Sequence, residues 1–302
     1  MEQGEEKTAS LATAFAVATV GIAFFSGMDA VMKALTLNVG AFNAMFWRVA
    51  VGTLLGGAIW FALRSPRPSR AALRVHLIRG ALSSVMAILF FWGLARVPLA
   101  QGVALAFIAP LIALYLAAVL LGETIERRAI FGSLLGFAGV LVILSAQARA
   151  QTGEEALWGS ASILASALLY AWNIILMRQQ ALLAKPAEVA FFNSLVVTAC
   201  YLLLAPFLAE LPPATEWPLI VGAAVLGLGS LMLLSWAYAR AEAQYLAPVE
   251  YTAFIWAVIL GALVFAEPLR PLTMIGAAMI VAGCYSAARG RRAPVSDVEA
   301  AI

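Results

Sequence analysis

The sequence predicts an all-α polytopic membrane protein, with ten transmembrane helices arranged as an inverted pair of five-helix repeats. Three observations predict it. The 302 residues are 64% hydrophobic and only 12% charged, whereas soluble domains are about one-quarter charged and a core of this length cannot hide so much apolar surface. The apolar residues fall into ten runs of roughly the 20 residues that a membrane span needs. Finally, one segment recurs: Trp92, Ala95, Arg96, Ala138 and Gly139 reappear 144 positions later as Trp236, Ala239, Arg240, Ala282 and Gly283, and Glu123 and Gly132 as Glu267 and Gly276.

The runs lie at about 11–33, 40–63, 74–95, 98–121, 128–147, 157–178, 187–209, 217–239, 245–266 and 271–289. Turn chemistry or charge separates them, as in Ser65-Pro66-Arg67-Pro68, Gly122-Glu123, Gly153-Glu154-Glu155, Pro212-Pro213 and Glu267-Pro268. The acidic N-terminus and the length of the first run predict a retained helix and not a cleaved leader. Residues 1–150 then form the first repeat, and 151–302 the second with a short tail. Five helices is an odd number, so the second copy crosses the membrane in the opposite sense, as alternating-access transporters do. Thirteen of the 19 Lys and Arg residues fall on the flanks shared with the termini, including the cluster Arg64, Arg67, Arg70 and Arg74. Four (Lys33, Arg96, Arg149, Arg270) fall on the other side, and Arg48 and Arg79 lie inside helices. The positive-inside rule therefore puts both termini in the cytoplasm.

Composition also excludes. A net charge of +3 with scattered arginines gives no nucleic-acid footprint. Cys200 and Cys284, each in an apolar run, suggest neither a disulfide framework nor a zinc site. The lone His76 falls in the basic loop with no visible partner. No metal or cofactor is expected, and no clustered acids, His-rich metal site or Ser-His pair supports an intramembrane enzyme.

The stretch from Ala95 to Leu144 and its echo from Ala239 to Ala288 resemble the repeat unit of the drug/metabolite transporter superfamily, in its ten-helix, two-repeat (EamA-type) exporters. A helix with a mid-span Pro or aromatic carries the resemblance, followed by Gly122-Glu123 or Ala266-Glu267 and a Gly-rich helix (Gly132, Gly136, Gly139; Gly276, Gly283). The layout is most similar to bacterial exporters of amino acids, aromatic ones included. The resemblance implies a cytoplasmic-membrane location and a central cavity from helices 1, 3, 4, 6, 8 and 9.

Charges inside the spans are the first candidates for the site, because they are expensive in lipid and mark function by default. Asp29 and Lys33 sit at i,i+4 near the outer end of helix 1, and Arg48 lies at similar depth in helix 2. They read either as a structural Asp29–Arg48 pair or as a gate and substrate partner. Glu250, between Pro248 and Tyr251, is a candidate for attracting an amino group or titrating. Glu123 and Glu267 read as structural charges, carboxylates at helix junctions that cap amides. Pro110 is a candidate hinge, and Phe254 stands at its position in the second copy. Trp92 and Trp236, repeat mates at opposite mouths, are candidate gates. Phe107, Tyr170, Asn173 (the mate of Asp29), Ser83 and Ser230 complete the substrate-facing set. Gly52-xxx-Gly56 and Gly132-xxx-Gly136 read as packing faces or a dimer seam, so a monomer or weak homodimer is expected.

Together these features predict a transporter that exports small amphipathic metabolites, amino acids above all, through an apolar, aromatic-lined cavity. Few deep acids are available to drive proton pumping, which favours facilitated diffusion. The alternatives are a proton-coupled carrier of drugs, vitamins or nucleotides and, remotely, an intramembrane enzyme.

Overall fold

The computed structural model describes residues 2–65, 67–109, 112, 115–116, 127–149, 153–240, 252–268 and 270–289. Pro110, Glu123, Glu250 and Tyr251 lie outside them. The described chain is helical throughout, and a helix falls within each of the ten apolar runs. The run Glu2–Ala62 is broken at Gly40, whose φ of 79° and ψ of 157° suit a residue without Cβ. It therefore comprises α1 (2–39) and α2 (41–62). Then follow α3 (Arg70–Leu94), α4 (Leu99–Ala106), α5 (Arg127–Arg149), α6 (Glu154–Leu183), α7 (Pro186–Leu202), α8 (Trp217–Tyr238), α9 (Thr252–Phe265) and α10 (Pro271–Arg289). At 1.5 Å per residue a helix of the length of α3 extends about 37 Å, more than the ~30 Å hydrocarbon core.

Local chemistry starts these helices. Ser69 caps α3 by accepting the Ala72 N–H at 3.1 Å. Glu154 and Glu155 sit in the first turn of α6, where the helix dipole favours acid. Pro186 opens α7, where its missing N–H is harmless. The seventh run is shorter than its apolar stretch suggests: α7 ends at Leu202 and Ala205–Leu208 form a separate turn.

Small residues set the packing. α1 lies against α8, α2 against α7, α3 against α6 and α7, and α5 against α10. In the α5–α10 seam a Cβ on Gly139 would stand 2.6 Å from the Gly276 carbonyl oxygen, and one on Gly276 equally 2.6 Å from that of Gly139. Gly283 meets Gly132 in the same way. Since Gly132 and Gly139 are the repeat mates of Gly276 and Gly283, the two contacts are images of one another across a local two-fold. Where no hydrophobic effect drives helices together, such backbone approach is the adhesive. Inside, Met32, Leu35, Met45, Leu94, Ile143, Ile163, Ile220 and Ile280 are fully buried, while Leu54, Phe61, Phe131 and Leu263 point outward. That polarity suits lipid.

The seam gives a direct test. Gly139→Ala drives a methyl into backbone that cannot rotate away, and overpacking of this kind costs about 1–3 kcal/mol. Its thermal midpoint in detergent is expected several degrees below wild type. Gly222→Ala, with nothing within 4 Å of its added carbon, is expected to be neutral; equal effects would refute the seam as the adhesive.

Candidate functional site

Polar side chains gather between α1, α2, α3, α6, α7 and α8, and they do so because each helix presents them at helical spacing on one face. On α1, Ser26 and Asp29 are one turn apart; on α8, Gly227 and Ser230; on α3, His76, Arg79 and Ser83; on α6, Asn173 and Gln180. All of the side chains among these are buried.

Arg48 reaches from α2 to α8, where a Cβ on Gly227 would stand 2.8 Å from its Nη1. It lies within electrostatic reach of Asp29 and of Tyr201 on α7. Of the two readings of these charges, the direct Asp29–Arg48 pair is not made: among the described residues the close acid–base contacts are Lys33–Glu267 and His76–Glu188. Asp29 Oδ1, Arg48 Nε, Ser26 Oγ and Ser230 Oγ are instead buried with no hydrogen-bond partner. An unsatisfied buried group costs about 1–3 kcal/mol, more when charged, so four in one place ask for an explanation.

Across α3 the network is satisfied. Arg79 Nε donates to Asn173 Oδ1 at 3.0 Å and its Nη1 donates to Gln180 Oε1. Ser83 Oγ is 3.5 Å from the same Asn173 oxygen. Gln180 Nε2 bonds His76 Nδ1, and His76 Nε2 lies 3.1 Å from Glu188 Oε1. The His76 ring stacks on Phe192 with centroids 4.9 Å apart. The sequence reading of His76 is therefore corrected: it belongs to α3, fully buried, because Glu188 and Gln180 from α7 and α6 supply the partners that its neighbours in sequence lack. The two halves meet at α3, where the Tyr201 hydroxyl donates to the Ser84 carbonyl at 2.6 Å.

Lys33 is corrected as well. It is no exposed flank and forms no pair with Asp29. Buried at 4% exposure, its Nζ pairs with Glu267 and donates to the Val97 carbonyl, acceptors that balance its charge. Glu267 also accepts the Leu99 N–H through Oε2 at 2.7 Å. The N-cap of α4 is Pro98, which offers no side-chain acceptor, and the carboxylate arrives from beyond α9 to replace it. Asn38 bonds Glu216 at 3.1 Å, Asn43 Oδ1 accepts the Glu210 N–H at 2.9 Å, and Trp47 Nε1 donates to the Glu210 carbonyl at 2.8 Å. These contacts tie early to late chain at the end where α1 stops.

The remaining candidates sit elsewhere. Trp92 and Trp236 each lie under the arginine four residues on: Arg96 and Arg240 stand 3.5 and 3.9 Å from the ring centroids and donate to the tryptophans' own carbonyls. Phe107 is in the core near α4's end, Tyr170 packs beside Ala109, Ala167 and Ala171, and Phe254 borders a cleft with Pro98 and Gln101. Arg79, Gln180, Glu188 and Tyr201 join the cluster without being candidates in the sequence.

Comparison with known proteins places the chain in a family. The model of the EamA-like transporter family matches residues 12–145 and again 157–289. The chain belongs to this family. It is 28% identical over 274 residues to the pseudopaline exporter CntI of Pseudomonas aeruginosa, covering 89% of this chain and 93% of that one. It is 28% identical over 208 residues to a riboflavin transporter of Vibrio cholerae, 68% of each chain. With an S-adenosylmethionine uptake transporter of Rickettsia conorii the identity is 26% over 261 residues, 85% of each. A crystal structure 22% identical superposes with a TM-score of 0.63 over 93% of this chain and 99% of the other, which shows the fold. The EamA chain is thus a multi-pass membrane transporter with two family repeats.

Gly227 offers a test of the Arg48 position. Gly227→Ala places a methyl where Nη1 now lies, and the guanidinium, as the far end of a flexible side chain, must swing away. Ligand-induced thermal stabilisation is expected to fall about as much as in Arg48→Gln. A Gly227→Ala protein that binds as wild type would show that Arg48 does not need this place.

Proposed function

We propose that this EamA transporter exports small amphipathic metabolites bearing an amine and a carboxylate, amino acids above all, across a bacterial cytoplasmic membrane by alternating access. One observation carries the reading: buried Asp29 and half-buried Arg48 lie within each other's field, yet Asp29 Oδ1 and Arg48 Nε, both buried atoms, have no partner. Opposite charges held apart and unsatisfied match a zwitterion, ammonium to the carboxylate and carboxylate to the guanidinium fork. Ser26 and Ser230 add hydroxyls for its polar rim. The relative from Rickettsia conorii is named for S-adenosylmethionine, a molecule with an α-amino acid end, in keeping with such a site.

Purified protein in sealed vesicles is expected to catalyse counterflow of labelled amino acids, phenylalanine and glutamate among them. Asp29→Asn and Arg48→Gln each remove a charge-assisted hydrogen bond of about 1.5–3 kcal/mol, or roughly 10- to 100-fold in affinity. Absence of exchange for every amino acid under either gradient would sink the reading.

The two copies are proposed to run in opposite senses with both termini cytoplasmic, which makes the end holding Lys33 and Glu267 the outer mouth. Their pair then serves as the outer gate, linking α1 and α4 to the turn before α10. Breaking a buried pair costs about 3–5 kcal/mol, and even ~1.4 kcal/mol expressed as opening raises the open fraction tenfold. In a background without Cys200 and Cys284, a cysteine replacing buried Gln101 should react with an impermeant maleimide roughly tenfold faster once Lys33→Gln is added. Unchanged labelling would remove the gate from the proposal.

A further inference from the structure

We infer that Nδ1 of His76 is a proton-binding site, and that a proton there releases the Gln180 end of α6 from α3, loosening one copy of the repeat from the other.

The state of the ring follows from its neighbours. A guanidinium only donates, and Arg79 Nη1 bonds Gln180 Oε1. That fixes the amide: its nitrogen faces His76 Nδ1 and donates to it. Nδ1 therefore carries a lone pair, and the ring's one proton sits on Nε2, donated to Glu188 Oε1 at 3.1 Å. In this arrangement every donor meets an acceptor. A second proton breaks it. An N–H on Nδ1 would point at the Gln180 N–H, donor against donor. Turning the amide over satisfies His76 but sets the NH2 group against Arg79, which cannot accept. Neither orientation serves both neighbours, so the link from α3 to Gln180 is lost. The bond to Glu188 on α7 is kept and gains charge.

The fold does not require this network. In the other copy Ile220 stands at the place of His76, Ala44 at that of Glu188 and Ala223 at that of Arg79. All three are fully buried. Only Thr36, at the place of Gln180, is polar, so apolar contact packs the same position without a relay. His76 is also the chain's one histidine, the side chain that ordinarily titrates between pH 5 and 8. Among the described side chains, the charged groups that face it are Glu188 of α7 and Arg79 of its own helix. α6 presents the amides of Gln180 and Asn173. α2 presents Trp60 behind the stacked Phe192 ring, and Arg74 and Lys185, near in the chain, are exposed. His76 lies near the start of α3, whereas Lys33 bonds Val97 beyond its far end, roughly 30 Å along the helix axis. The junction that the proton loosens is thus at the end of the bundle opposite Lys33 and Glu267.

The test needs no cargo. Leu176 is buried on the face of α6 between Asn173 and Gln180. In the full-length protein without Cys200 and Cys284, Leu176→Cys is labelled with a maleimide at about pH 5.5 and about pH 8, on either side of the ordinary histidine range. Each rate is divided by that of the same thiol in unfolded protein at that pH. With His76 and Gln180 in place, the normalised rate is expected to be roughly tenfold higher at the lower pH, the effect of one unpaired buried donor. His76→Gln keeps one donor and one acceptor but takes up no proton. It should hold the thermal midpoint near wild type and lose the pH dependence. Gln180→Glu offers acceptors to both Arg79 and a protonated Nδ1, so its dependence should reverse, with the higher rate now at the higher pH. A flat response with both residues native, or one that survives His76→Gln, overturns the site. A Gln180→Glu response of unchanged sign also overturns it, by putting the proton on Glu188.

Discussion

Everything polar in this molecule answers to one constraint: a charge taken out of water into a membrane interior must be compensated or it must have a use. Three cations meet that constraint in three ways. Lys33 is fully compensated, by Glu267 and a carbonyl. Arg79 is held by amides alone. Arg48 has a carboxylate in its field but not in contact, and its Nε has no partner. The gradation, and not residue type, is what the proposed function rests on, since all three are long basic side chains inside helices.

The compensation is possible only because the helices come close enough to enclose it. Gly227 lets Arg48 reach α8, and Gly80 lets Val196 of α7 come within 2.5 Å of where a Cβ would be on α3. The α5–α10 seam brings the copies together through reciprocal glycines. These contacts, and the tryptophan-arginine locks at the ends of α3 and α8, are where the copies agree. The polar cluster is where they differ: Asp29 against Asn173, Arg48 against Phe192, Arg79 against Ala223. Symmetric positions hold helices to helices. Asymmetric ones supply the residues proposed to meet the ligand.

This division explains what could be read from the chain alone. Helices were legible because length and apolarity determine a span, and Asp29, Asn173, Ser83 and Ser230 stood out as polar residues in apolar runs. The same logic reached Arg48 and noted Arg79 as intramembrane. What it could not supply was partnership. Lys33 and Glu267 are 234 residues apart, and nothing near either in sequence announces the other, so Lys33 was assigned to its nearer neighbour Asp29. The arginines around His76 predict a loop, although its spacing of three and seven from Arg79 and Ser83 traces one helical face. That stripe, facing Asn173 and Gln180 seven apart on another helix, was the available signal. The repetition of Trp92 and Trp236 goes with a local i,i+4 contact to Arg96 and Arg240 that each copy makes for itself.

On the proposed orientation, the Lys33–Glu267 pair also bears on how the transporter can cycle. In the second copy Met177 occupies the place of Lys33, so on the inverted arrangement the inner mouth has no cation at that position. The two mouths then close by different physics. Opening the Lys33–Glu267 mouth returns both charges to water, and the regained hydration offsets most of the lost Coulomb attraction, since a buried pair nets little against its own desolvation. Opening an apolar contact exposes surface at about 25 cal/mol per Å² with nothing returned. An ionic latch is therefore specific while shut and inexpensive to open into solvent. Deleting one partner is different, because it strands the other charge and the unsupported Leu99 amide loses a carboxylate held in place. The mouth through which an exporter releases its cargo is where a latch of that kind is useful.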